Sequence, residues 1–222
     1  MNTRRTSGTL GSCPSLPIPD GKGSKRMDYE AIKGLAKHHK QVFGRIVNCE
    51  IYRLEDGKIL ALSLMHDDLH DMNLAILLND KFRIEEIGGK MDRIPYPSCE
   101  RKPLEMLAAL KGIEVLERGC LKKVKERIPW NQGCTHIYEM IESTFRAVFA
   151  GSYIIYGQKW EGILELEPEE KRQLNLQSPV LADTCYTYNR ESVDEEILAY
   201  ARKKFEDAKK KITVIEAVKR GK

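Results

Sequence analysis

The stretch from Asn131 to Met140 reads NQGCTHIYEM and sets a cysteine and a histidine two residues apart where a helical pattern begins. A thiol just ahead of a helix lies among N–H groups that have no intrahelical partner, in the partial positive charge of the helix start. That setting favours thiolate, the form that acts as a nucleophile or a metal ligand. His136 is near enough in sequence to pair with Cys134. The plain alternative is that Cys134 packs as a small apolar residue, as free cysteines often do, and that His136 donates to a carbonyl.

Other residues of the same chemistry lie at turns. Cys99 closes IPYPSC, where two prolines stiffen the backbone. Cys185 sits in DTCYTY. His70 and Asp71, in DDLHDM, open a strand. Neighbours on a strand point to opposite faces, so these two do not pair with each other, and one of them faces the site. Asp67 and Asp68 read as solvated turn residues, and His38, His39 and His66 as surface residues. Cys13, Cys49 and Cys120 read as residues outside any site.

Three functional readings follow. In the first, a thiol-dependent enzyme or small-ligand binder, Cys134 is the thiolate and His136 or His70 its acid/base partner. Asp71 orients the histidine, and N–H groups near Thr135 hold an anion or oxyanion. Thr135 and Tyr96 are then candidate ligand-binding positions. In the second, a metal-binding module, Cys99, Cys134, His136 and Cys185 hold zinc or iron. The residue types suit a tetrahedral site, although no close C-x-x-C pair is present and residues two apart on a helix diverge. In the third, an accessory or interaction protein, these residues only pack.

Positioning them requires a sheet followed by helices. GRIVNCEIYRLEDGKILALSLMHDD alternates at Val47, Cys49 and Ile51, turns at Glu55-Asp56-Gly57-Lys58, and resumes from Ile59 to Met65. The Asp-Gly pair is a strong hairpin signal. In the next segment Met72, Leu74, Ile76 and Leu78 share a face, Asn79-Asp80 turns the chain, and Phe82, Ile84 and Glu86 continue. Two consecutive hairpins predict a four-stranded antiparallel meander.

Helices are predicted over KPLEMLAALKG, with Pro103 near its start and Gly112 past its end, and over RGCLKKVKERIP. THIYEMIESTFRAVFAG is predicted to bury Ile137, Ile141, Phe145 and Val148, with Cys134 or Thr135 as N-cap. A short helix with Asp28 as N-cap and an Ile32, Leu35, Ala36 stripe precedes the sheet. SYIIYGQKW reads as a strand, EGILELEPEEKRQLNLQSP as irregular, and SVDEEILAYARKKFEDAKKK as a charged helix with a Ser192–Glu195 capping box. ITVIEAV reads as a final strand. The fold class is α+β, a meander of about four strands with helices on one face. Residues 1–26, rich in Gly, Ser and Pro, read as a disordered arm, and 27–222 as a single domain.

Composition narrows the function classes. A net charge of +4 is small beside 37 basic and 33 acidic side chains, and the signs interleave. No basic patch with interleaved aromatics is visible, which argues against nucleic-acid binding. No window is apolar for the length of a membrane span, and the N-terminus has no secretory h-region. Six cysteines without such a signal predict reduced thiols in the cytoplasm. The partner is then a small molecule or another protein.

Taken together, LHDMNLAILLNDKFRIEEIGGKMDRIPYPSC, GCTHIYEMIE and DTCYTYNRES resemble a bacterial family known as domain of unknown function 2889. The similarity runs from about Gly44 to Val193. It falls on His70 and Asp71, on Pro95, Tyr96, Pro97 and Cys99, on Gly133, Cys134, Thr135 and His136, and on Thr184 and Cys185. Tyr186 stands where the family pattern carries histidine after the late cysteine, and the loop around Asp67 is shorter. The resemblance implies positions and no reaction.

Overall fold

A computed structural model describes residues 28–99, 101–158, 164–178 and 181–220. The chain divides into two units, Met1–Val42 and Phe43–Lys222. The predicted arm, 1–26, lies outside the described residues. Within the first unit, Tyr29–Gly34 forms α1, and the Asp28 carboxylate caps it by accepting from the Ala31 N–H at 2.8 Å. Its expected stripe is not a buried one, for Ile32 and Leu35 are exposed.

The second unit is built on one antiparallel sheet in the order β1 (Arg45–Arg53), β2 (Ile59–Asp67), β3 (Asp71–Leu78), β4 (Ile84–Arg93). This is the predicted meander, and the fold is α+β. The first hairpin turns at Gly57, whose φ of +84° is easy only without a Cβ. The second turns through Phe82, a bulky residue held at φ +58°. Its ring is buried and its carbonyl accepts from the Val115 N–H at 2.9 Å, so tertiary packing holds a conformation its side chain disfavours.

One face of the sheet is the core face. Ile59, Ala61, Ser63 and Met65 of β2 and Met72, Leu74, Ile76 and Leu78 of β3 are all buried there. On β4 the alternation breaks. Leu78 pairs with Ile84 but Leu77 with Glu86, so Glu85 is an extra residue that shifts the phase. Glu86, expected on the core face, is thereby exposed and reaches Lys111 at 2.5 Å, while Ile87 turns inward.

Helices cover the core face. α2 (Arg101–Glu105) tightens into a 3-10 turn over Met106–Leu110, which buries Leu107 and Leu110. Gly89 lets this segment approach, because a Cβ there would lie 2.9 Å from Leu104 Cδ2 and 3.1 Å from the Asn73 carbonyl. α3 (Cys120–Arg127) buries Val124. α4 (Thr135–Gln158) packs on β1 and β2 and buries Ile137, Ile141, Phe145 and Val148, the predicted stripe, along with Met140. Each such burial contributes about 1.5–3 kcal/mol.

α4 continues through Ser152–Gln158, where the sequence predicts a strand. Tyr153, Ile154 and Tyr156 are β-formers, but they are exposed or nearly so. A helix already anchored by four core residues overrides their propensity. PEEKRQLN, within the stretch read from sequence as irregular, is α5 (Pro168–Asn175), with proline at its start and a reciprocal Glu167–Glu170 capping box. The C-terminal segment is α6 (Glu195–Arg220), and it runs through the predicted ITVIEAV strand. Its cap is Asp194, whose Oδ1 accepts from the N–H groups of Glu196 and Ile197 at 3.1 Å. The expected cap, Ser192, instead accepts at its hydroxyl from Arg172 at 2.8 Å. α5 packs on α6, with Glu170 3.0 Å from Lys204.

Candidate functional site

The site begins where β2 ends. Asp67 continues the inward alternation of Ile59, Ala61, Ser63 and Met65, so its side chain enters the core face and is fully buried. A lone buried carboxylate is costly, and this one is closely partnered. Oδ1 accepts from the backbone N–H groups of Leu69 (2.8 Å) and His70 (2.7 Å), and Oδ2 from Arg45 Nε (2.8 Å). His70 Nδ1 lies 3.0 Å from Oδ1. Burial pushes the Asp67 carboxyl up, but the hydrogen bonds from Leu69, Arg45 and His70 outweigh it and hold it well below the usual carboxylate range.

Arg45 follows from strand register. It faces Asp67 directly across the β1–β2 ladder, and its Nη1 reaches Glu139 of α4 at 2.8 Å. A single guanidinium therefore bridges the sheet and the helix. From β4, Arg93 donates to the backbone carbonyls of Asp67 and His70 and tightens the β2–β3 turn.

His70 is 4% exposed, so its partners define its state. Ionised Asp67 only accepts, so the Nδ1–H of His70 donates to it. The His70 ring lies against the His136 ring with centroids 3.9 Å apart, tilted by 44°. His136, second residue of α4, has Nδ1 3.9 Å from Cys134 Sγ. Burial lowers its pKa, and the nearby His70 and Arg45 charges lower it further against the opposing pull of Glu139 and Asp67. The neutral form of His136, the one able to accept a proton, is therefore favoured.

Cys134 occupies the N-cap. Its carbonyl accepts from the Tyr138 N–H at 3.1 Å, the first bond of α4. Because an N-cap residue stands outside the helical spiral, the two-residue spacing to His136 becomes a contact rather than a divergence. Gly133 is required for packing: a Cβ there would lie 2.7 Å from Tyr138 Oη and 2.9 Å from the ring. That ring is fixed by its hydroxyl donating to the Ile128 carbonyl and by Trp130, 4.4 Å away.

Of the residues singled out from sequence, the structure brings Cys134, His136 and His70 together. Asp71 is elsewhere. It points to the opposite face of the sheet, 3.4 Å from His66, and the carboxylate on His70 is Asp67 instead. Reading Asp67 as a solvated turn residue is thus corrected. Thr135 opens α4 and is exposed, and Tyr96 is exposed at 67%. Cys99 is half-buried in the 3-10 turn Pro97–Cys99, and Cys185 is exposed. Among the described residues no group of three or more His, Cys, Asp or Glu side chains is arranged to hold a metal ion, so Cys99, Cys134, His136 and Cys185 do not converge. Burial pushes the Cys49 and Cys120 thiols up, away from thiolate.

Sequence reasoning missed Asp67, Arg45, Glu139 and Arg93. For Asp67 the signal existed: counting the two-residue period one step past Met65 reaches it. For Arg45 and Glu139 it did not, since their meeting depends on how α4 crosses the sheet.

Residues 43–149 match a family model described as protein of unknown function (DUF2889). The matched span contains Arg45, Asp67, His70, Cys134, His136 and Glu139, and Thr184 and Cys185 fall beyond it. No curated protein matches the chain, and no solved structure does.

Proposed function

We propose, for a chain whose residues 43–149 belong to the DUF2889 family, a thiol-dependent enzyme acting on an acyl or thioester substrate, with Cys134 as nucleophile and His136 as its base. The observation that carries this reading is the continuous run Asp67–His70–His136–Cys134, with separations of 3.0 Å, 3.9 Å between ring centroids, and 3.9 Å. Such a run puts an imidazole whose neutral form is favoured by burial beside a thiol at the start of a 24-residue helix.

In this scheme His136 takes the Cys134 proton as Sγ bonds to the acyl carbon. The developing oxyanion lies at the unpaired N–H groups of the first turn of α4. Collapse of the tetrahedral adduct breaks the bond to the leaving thiolate, which recovers the proton from His136. Water, deprotonated by His136, then attacks the thioester carbon; collapse breaks the bond to Sγ, which regains the proton from His136 as the carboxylic acid leaves. His70, fixed by Asp67, is a positioning residue that holds the His136 ring.

The test is the rate of iodoacetamide modification at each cysteine, followed by peptide mass spectrometry. Cys134 should react faster than free cysteine at pH 7, and His136→Asn should slow it at least about tenfold while leaving the circular dichroism unchanged. Cys134 reacting no faster than free cysteine overturns the reading.

A further inference from the structure

Between α3 and α4 runs a cleft of about 280 Å³, close to the lower limit of small-ligand sites, about 300 Å³. Its walls are apolar, with Leu121 and Val124 on one side and Tyr138 and Ile141 on the other. Trp130, 56% exposed, also lines the cleft. Beside the Tyr138 ring, 4.4 Å away, it adds a second aromatic surface to the lining.

Charge selects among apolar ligands. Three ionisable residues other than Tyr138 line the cleft: Glu139, Glu142 and Lys125. Glu139 is paired with Arg45 at 2.8 Å and Glu142 with Arg146 at 2.7 Å. Lys125 has no carboxylate within ion-pair distance among the described residues, and its Nζ lies over the Trp130 ring, 5.3 Å from the centroid. The two acids are neutralised and the cation is not, so the cleft favours an anion.

Cys134 itself does not line the cleft, but its chain neighbours lead to it. Thr135, which lines it, follows Cys134 in the chain, and the Tyr138 ring that forms its wall packs on Gly133. We infer that this cleft binds a small apolar carboxylate, one aromatic ring or a branched chain of similar size, with its anionic group at Lys125. Resting on the reading of Cys134 as nucleophile, the inference makes the cleft the subsite for such an acid, as product or as the acyl portion of the substrate.

Benzoate is the probe, and the readout is the Trp130 indole N–H signal in two-dimensional NMR of the full chain, assigned by its loss in Trp130→Phe. Benzoate should shift that signal saturably at millimolar concentration. Neutral benzamide should bind about three- to fivefold more weakly, and Lys125→Glu, an exposed substitution, should erase the preference. Thr135→Trp, which fills the lip, should weaken both. Absence of a saturable shift, or equal binding of benzoate and benzamide to the unsubstituted chain, overturns the inference. The two readings fail separately. Fast alkylation of Cys134 without benzoate binding removes the subsite alone, whereas benzoate binding beside an unreactive Cys134 supports the cleft and removes the catalytic reading.

Discussion

The imidazole of His70, at the β2–β3 turn, lies 3.9 Å from the imidazole of His136, at the start of α4. The contact ties the end of the sheet to the beginning of the longest helix on its core face. Behind it stands Asp67, which is hydrogen-bonded to His70 and ion-paired with Arg45, and Arg45 returns to α4 through Glu139. The site is therefore closed on two paths, one through the tilted ring pair and one through the guanidinium.

Because Asp67 is the buried carboxylate, its loss should be severe. Asp67→Ala leaves Arg45 and the Leu69 and His70 N–H groups without their acceptor and should cost about 3–5 kcal/mol. Asp71→Asn, which weakens only a partly exposed pair with His66, should cost no more than about 1 kcal/mol. Urea unfolding of both variants checks this, and equal losses would contradict the assignment of Asp67 as the partner of His70.

Arg45 makes two contacts from different nitrogens, 2.8 Å to Asp67 and 2.8 Å to Glu139. A lysine is a point donor and cannot hold this fork. Arg45→Lys should cost about 1–2 kcal/mol. A double-mutant cycle with Asp67→Asn should give a coupling energy of at least about 0.5 kcal/mol; strict additivity would show that the pair is not energetically linked.

Acid should weaken the fold in two stages. The His136 pKa is lowered from 6.5 in the folded state, so below about pH 6.5 the unfolded chain binds more protons and stability falls as pH falls. Asp67 is held far below its usual 3.8. Its contribution is present above that value and is lost as the pH drops through it and beyond. Glu169, held at about 2 chiefly by the Arg172 hydrogen bond, adds to the second stage. Thermal midpoints measured from pH 8 to pH 3 should show both stages. His136→Asn should flatten the first and Asp67→Asn should make the second shallower.

Gly133 is predicted to be intolerant of a single methyl group. Gly133→Ala drives a Cβ to 2.7 Å from Tyr138 Oη, and the tyrosine is held on its other sides by Ile128 and Trp130. Overpacking of this kind costs about 1–3 kcal/mol. The loss should shrink in a Tyr138→Leu background, where the clash is absent. A glycine needed only for backbone freedom would show the same loss in both.

Much of the fold was legible because it depends on local rules. The Asp56-Gly57 turn, the inward alternation of Met72 to Leu78 and the stripe from Ile137 to Val148 all follow from the periods of strand and helix. So did the start of a helix at GCTH, and with it the neighbourhood of Cys134 and His136. What the local rules lacked was knowledge of what each segment packs against. A bulge at Glu85 turned Glu86 outward. Tyr153 and Ile154 joined α4 against their strand propensity because a helix already anchored on the sheet costs little to extend. α5 arose from acidic residues whose value lies in a capping box and in a lysine on another helix.

The same division holds for the site. By itself the sequence determined which groups were available and that a thiol and an imidazole stood at a helix start, since both depend on residues a few positions apart. Only the tertiary structure decided that Asp67 rather than Asp71 holds His70, that His70 meets His136, and that Cys99 and Cys185 form no metal-holding group with Cys134 and His136. Those outcomes turn on which face of a strand a residue occupies and on where α4 crosses the sheet, and both are set by burial of the whole apolar face rather than by any local spacing.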